Sequence, residues 1–165
     1  MTDDLVARLA ALENRLQSLE DERAIRDLIT SYGPLVDDGD AAAVADLWTP
    51  DGVYDVDGWF MDGQGAIADM VNSPAHQGIV ATGCAHVLGP VHIRLDGDTA
   101  VAVGYSLLVV RDDKRFLVAR ATAHRWELAR TDTGWRAQRR TSRALDGNPE
   151  AHALAAEVIR ESRQV

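Results

Sequence analysis

Between Thr82 and Leu145 the sequence carries four long runs of β-type residues, 82–95, 98–111, 115–130 and 134–145, with only two or three residues between neighbours. Gaps that short can reverse a chain but cannot carry it across a sheet, so the runs must be sequential antiparallel strands. Asp96-Gly97, Asp112-Asp113 and Asp132 to Gly134 supply the turn residues. Ahead of this meander the pattern is helical. Leucines at 5, 9, 12, 16 and 19 alternate steps of four and three, a heptad seam. The periodicity runs on through Ile25, Leu28, Ile29, Tyr32 and Val36. About 35 helical residues at about 1.5 Å rise make a rod of roughly 50 Å, longer than the roughly 40 Å span of a domain this size. Residues 1–20 are therefore expected to project as a leucine-seam extension that finds a partner, in a neighbouring subunit or a groove of its own domain. Gly33 and Pro34 predict a kink or restart near the helix end, because proline lacks an N–H and clashes one turn back.

Asp40 is placed to cap a short helix, Ala41 to Trp48, closed by Thr49 and Pro50. "VYDV" and "WFM" around Asp57-Gly58 signal a small hairpin, followed by a helix from about Gly65 to Asn72 and a loop, "NSPAHQG". "NPEAHALAAEVIRESR" reads as a final helix with Asn148 as cap and Pro149 in its first turn. Helices first and a meander after give an α+β plan. A strongly curved antiparallel sheet wrapping the N-terminal helices would form a cone-shaped barrel with a cavity at its open end. Residues 1–165 read as a single domain with an extended N-terminal helix.

A net charge of -9 and a pI near 4.9 exclude nucleic acid and anionic membrane as the expected partners, because phosphate contacts need clustered Lys and Arg. Cys84 is the one cysteine, which rules out an intrachain disulfide, and no leader pattern or apolar run of about 18 residues appears. The expectation is a cytoplasmic protein whose partner is a small hydrophobic molecule.

Tyr32, Asp37, Tyr54 and His86 come from a helix, a helix end and two strands, and could meet at the cavity. A carboxylate behind an imidazole fixes its tautomer and raises its basicity, and a phenol can donate to a developing oxyanion. Helical spacing alone does not choose between Asp37 and Asp38. In "TGCAHVLGPVHIRL", alternation places Cys84, His86 and Leu88 on one face, and Gly89-Pro90 are positioned to bulge and reset the phase for His92. Cys84 and Leu88 are thus candidate pocket residues, with nothing in the sequence to activate the thiol as a nucleophile. "GWFM" puts three large apolar residues in a row, so Trp59 or Phe60 is expected at a cavity mouth or interface, and Tyr105 is a further candidate substrate contact. Trp48, Trp126 and Trp135 read as core, and His92 and His124 as structural. No EF-hand spacing, HExxH, paired CxxC or phosphate loop is present, so neither metal nor cofactor is inferred.

The run "LEDERAIRDLITSYGPLVDDGDAAAVADLWTPDGVYDV", followed by "HVLGPVHIRLDGDTAVAVGY" and "GWRAQRR", resembles the SnoaL-like branch of the nuclear-transport-factor-2-like superfamily over about residues 15 to 145. The resemblance implies an α+β cone. Its nearest functional likeness is to scytalone dehydratase, bile-acid dehydratase and hexachlorocyclohexane dehydrochlorinase, which use an Asp-His pair for proton abstraction. It implies Asp37 over Asp38, with His86 as base, Tyr32 and Tyr54 as dehydratase tyrosines, and a late-strand arginine, Arg139 or preferably Arg143, near the site. It further implies a homo-oligomer, trimer or dimer. The leading expectation is a cofactor-independent lyase or isomerase acting on a hydrophobic, cyclic small molecule. The alternatives are a noncatalytic binding or association module, or a cyclase or epoxide hydrolase on the same fold.

Overall fold

The first structural consequence of the heptad-then-core pattern is one unbroken helix, α1 (Thr2–Asp38), in a computed structural model that describes residues 2–162. The expected restart does not occur. Pro34 lies inside the last turns and α1 runs through it, held by Ile29, Tyr32 and Val36, which are buried against the sheet. α2 (Ala41–Ala45) is shorter than expected, with the Asp40 carboxylate accepting from the Ala43 N–H at 3.0 Å. Trp48 does not end that helix but opens β1 (Trp48–Val56), because its backbone pairs with Ala137 and its indole enters the core. β1 folds back as β2 (Trp59–Asp62), the expected hairpin.

Two helices follow, α3 (Gly63–Asn72) and α4 (Pro74–Thr82), where only the first was expected. The signal for α4 was present: the Ser73 hydroxyl accepts from the His76 N–H at 3.2 Å and Pro74 fills the first turn. The meander then runs as β3 (Cys84–Asp96), β4 (Thr99–Asp112), β5 (Arg115–Thr131) and β6 (Gly134–Ala144), and α5 (Pro149–Ser162) closes the described chain. Arg163, expected at the end of that last helix, lies outside the described residues.

The fold is mixed α+β, with the strands in the order β2-β1-β6-β5-β4-β3 in one curved sheet that does not close. β1 joins β6 in parallel, with Tyr54 opposite Arg140 and Val56 opposite Ser142. This long-range pairing carries the hairpin to the late strands and makes the N-terminal aromatics neighbours of β6. The concave face packs on α1. Tyr32, Trp48, Trp126, Ile25 and Ile29 form its centre, with the Trp48 and Trp126 rings 5.5 Å apart and both fully buried. Each such side chain contributes about 2–3 kcal/mol of burial, and the three expected core tryptophans are all buried. β3 bulges between Leu88 and Val91, which turns Val91 and Ile93 inward and sends His92 outward to Ser162.

Candidate active site

α1 ends on Asp37 and Asp38, and the packing of its last turns on β3 decides between them. Asp37 faces β3. Its Oδ1 accepts from the His86 ring at Nδ1, 2.6 Å away, and from the Cys84 thiol at 3.3 Å. Its Oδ2 accepts the His86 backbone N–H at 2.8 Å. One carboxylate therefore grips both the backbone and the imidazole of one residue, which leaves Nε2 as the ring's lone-pair nitrogen. Burial holds the His86 pKa below the ordinary histidine value; the bond to Asp37 opposes this, and Arg140 and His76 add to the lowering. Cys84 is a donor here and not a nucleophile, since burial and then Asp37 push its thiol up to about 11. Asp37, Cys84 and His86 place three ligand-type atoms within 4.8 Å of one another, but those atoms already bond each other.

Gly33 makes this contact possible. A Cβ there would lie 2.2 Å from the His86 carbonyl oxygen, so only glycine lets α1 rest directly on the β3 backbone at that level. Gly33→Ala is expected to lift the helix from the strand, lower stability by about 1–3 kcal/mol and break the Asp37–His86 bond. Urea unfolding and the ¹⁵N shifts of the His86 ring check both effects. A variant unchanged in both would show that the close approach is not required.

Between α1 and the sheet lies a cavity of about 160 Å³, lined by His86, Tyr32, Tyr54, His76, Arg140 and Ser142 together with apolar walls that include Leu88, Met61 and Trp59. Tyr32 stays a neutral phenol, because burial and then Tyr54 raise its pKa far above the usual tyrosine value. Trp59 reaches the cavity while remaining largely exposed, whereas Phe60 is exposed and off the lining.

Cys84, turned to Asp37, is also off the lining, and two further expected contacts lie on the opposite face of the sheet. Arg143 is on the convex face, where Nη1 and Nη2 donate to the buried Asp55 carboxylate at 2.9 and 2.7 Å and Nε donates to Glu150 at 3.0 Å. Tyr105 is on that same face, half exposed, because its neighbour Ser106 points into the cavity. The inward late-strand arginine is Arg140, not Arg139 or Arg143. Trp135 and Ala137 are buried, and counting onward by twos would bring Arg139 and Arg143 inward; a register shift opposite Glu127/Leu128 flips the phase, so Arg140 and Ser142 face the cavity instead.

Arg140 is 3% exposed and stacks its guanidinium on three rings, 4.2 Å from the centroid of Tyr32, 4.5 Å from Trp126 and 4.6 Å from Tyr54. Among the described residues it has no carboxylate partner, and its Nε and Nη1 have no hydrogen-bond partner. His76 is the second residue the sequence did not single out. It sits on α4 with Nδ1 bonded to the Val71 carbonyl at 3.1 Å, its ring 6.0 Å from that of His86, and its buried Nε2 unpaired. The Ser142 hydroxyl is likewise buried and unpaired.

The SnoaL-like domain family matches residues 17–141. This chain belongs to the SnoaL-like family. The family includes isomerases, dehydratases and cyclases. Among solved structures, this SnoaL-like chain is similar to a nuclear-transport-factor-2-like protein with a cystatin-like fold from Novosphingobium aromaticivorans, at 44% identity over 88% of this chain and 96% of that one, with a TM-score of 0.87. A candidate aromatic ring hydroxylase from the same organism is 29% identical over 77% of this chain and 90% of that one, TM-score 0.63. A Mycobacterium tuberculosis protein of unknown function shares the fold at 20% identity, over 82% and 78% of the two chains, with a TM-score of 0.74. No curated protein matches the SnoaL-like sequence. No helix among its described residues is long and apolar enough to cross a membrane.

Proposed function

We propose that the protein is a proton-abstracting lyase or isomerase that acts, without a cofactor, on a hydrophobic, oxygen-bearing cyclic small molecule. The observation that carries this reading is the 2.6 Å Asp37–His86 bond, which leaves the other ring nitrogen for a ligand in the cavity. His86 Nε2 takes a proton from the carbon beside a carbonyl, and the C–H electrons move onto the carbonyl oxygen as an enolate. Arg140 balances that charge, and the Tyr32 phenol donates to it. In the lyase direction the enolate collapses to a C=C bond and expels a β-hydroxyl, which leaves as water with a proton from the protonated His86. In the isomerase direction the proton returns to a different carbon. His76 Nε2 and Ser142 Oγ are placed to hold a substrate hydroxyl, since a buried polar atom left unpaired costs about 1–3 kcal/mol.

Apolar walls favour a ring system with few polar groups, and the likeness to a candidate aromatic ring hydroxylase supports a cyclic ligand. Cyclic ketones and β-hydroxy ketones that raise the melting temperature are the test compounds. Proton NMR in D₂O is expected to show exchange at the carbon beside the carbonyl, catalysed by the wild type. Ketones that bind tightly yet keep all their protons would transfer the protein to the ligand-binding module class.

A further inference from the structure

From residue 4 to residue 20, α1 packs on no other part of the described chain. Every residue from 4 to 20 is exposed, including Leu5, Leu9, Leu12, Leu16 and Leu19 at 50–65%. The domain takes hold of the helix only at Asp21, which accepts from Arg130 at 2.6 Å and from the Trp135 indole at 3.1 Å. From that clamp the helix needs no fresh nucleation to extend outward. The leucines fall on alternate d and a positions of a heptad frame, beginning with Leu5 at d. The next two seam positions are Arg23 and Arg26, which pair within their own helix with Asp27 and Glu22. The seam therefore stops where the domain begins.

We infer that this seam forms a parallel, in-register coiled coil with the same helix of a second copy of the chain. The charges flanking the leucines choose the orientation. In that frame Arg8 and Arg15 are at g, and Glu13 and Glu20 are at e. In a parallel pair each g residue meets the e residue five places on in the other helix. Arg8 thus meets Glu13 of the second copy, and Arg15 meets Glu20, twice over by symmetry. Antiparallel packing sets g against g and e against e, placing Arg beside Arg and Glu beside Glu. Nothing else in residues 4–20 competes for these side chains beyond a loose Arg8–Asp4 contact at 3.9 Å, with both side chains well exposed.

The test uses the full chain. In a parallel, in-register pair like residues face each other, so Leu12→Cys is expected to form an intermolecular disulfide with oxidised glutathione. The wild type, with Cys84 alone, is the control. The charge reversal Arg8→Glu with Arg15→Glu is expected to weaken the association at least about tenfold by sedimentation. Adding Glu13→Arg and Glu20→Arg to that variant should restore it. These residues touch no other part of their own domain, so circular dichroism and melting should stay at wild-type values. A Leu12→Cys protein that remains reduced, or a fourfold variant no tighter than the double one, overturns the proposal, even if the chain still oligomerises through its sheet.

Discussion

Replacing His86 by glutamine lowers turnover by about two to four orders of magnitude, the usual worth of a general base, while leaving unfolding close to wild type. Glutamine keeps the backbone N–H that Asp37 accepts and can offer its amide to Oδ1, so the helix-to-strand contact survives while the basic nitrogen is lost. The pH profile carries a second signature. The reaction needs neutral His86, and burial sets its pKa below the ordinary value, so the rate is flat through neutrality. It falls only as the pH drops below about 6.5 and passes through the lowered pKa. In Asp37→Asn the partner that opposes the lowering is gone. Its acid limb then moves to still lower pH even as its maximum falls, a combination that a merely structural aspartate would not produce. Full activity in His86→Gln, on a substrate found by deuterium exchange, would end the proton-abstraction reading.

The second large effect has opposite signs in activity and stability. Arg140→Met removes a buried cation that has no carboxylate partner among the described residues and replaces it with a side chain of similar length that suits three aromatic faces. Loss of the charge that balances the enolate should lower turnover about 100- to 1,000-fold. The folded state loses cation–π attraction of up to about 2 kcal/mol, against a desolvation penalty of several kcal/mol for an unpaired buried ion. Unfolding free energy is therefore expected to be unchanged or higher. An arginine kept for folding would give the reverse, a marked drop in stability with activity per folded molecule intact. Chemical denaturation and turnover, measured on the same preparation, separate the two.

The meander was legible in the sequence because its turns are local chemistry: Asp-Gly and Asp-Asp pairs mark strand ends within a residue or two. Helix α1 was legible from its periodicity, but its passage through Pro34 was not, since propensity cannot register packing against a distant sheet. The same limit hid the parallel join of β1 to β6. Asp37 and His86 were singled out by residue type and resemblance, and the structure brings them together with Tyr32 and Tyr54. Arg140 escaped because one register shift reverses the meaning of odd and even along β6. His76 escaped because "NSPAHQG" has the composition of a loop, although Ser73 and Pro74 are an ordinary helix start.

The continuity of α1 ties two distant features into a single rotational phase. Its outer half points the leucines in one direction, its inner half points Asp37 at His86, and no hinge lies between them. Each residue added to a helix turns everything beyond it by about 100°. A single insertion between Leu19 and Asp21 would therefore leave the Asp21 clamp and the Asp37–His86 pair in place yet swing the seam, and whatever it holds, to a face about at right angles to its present one. Only changes near whole turns, about seven or eleven residues, keep both alignments. In this chain the spacing between assembly and chemistry is thus a quantised length.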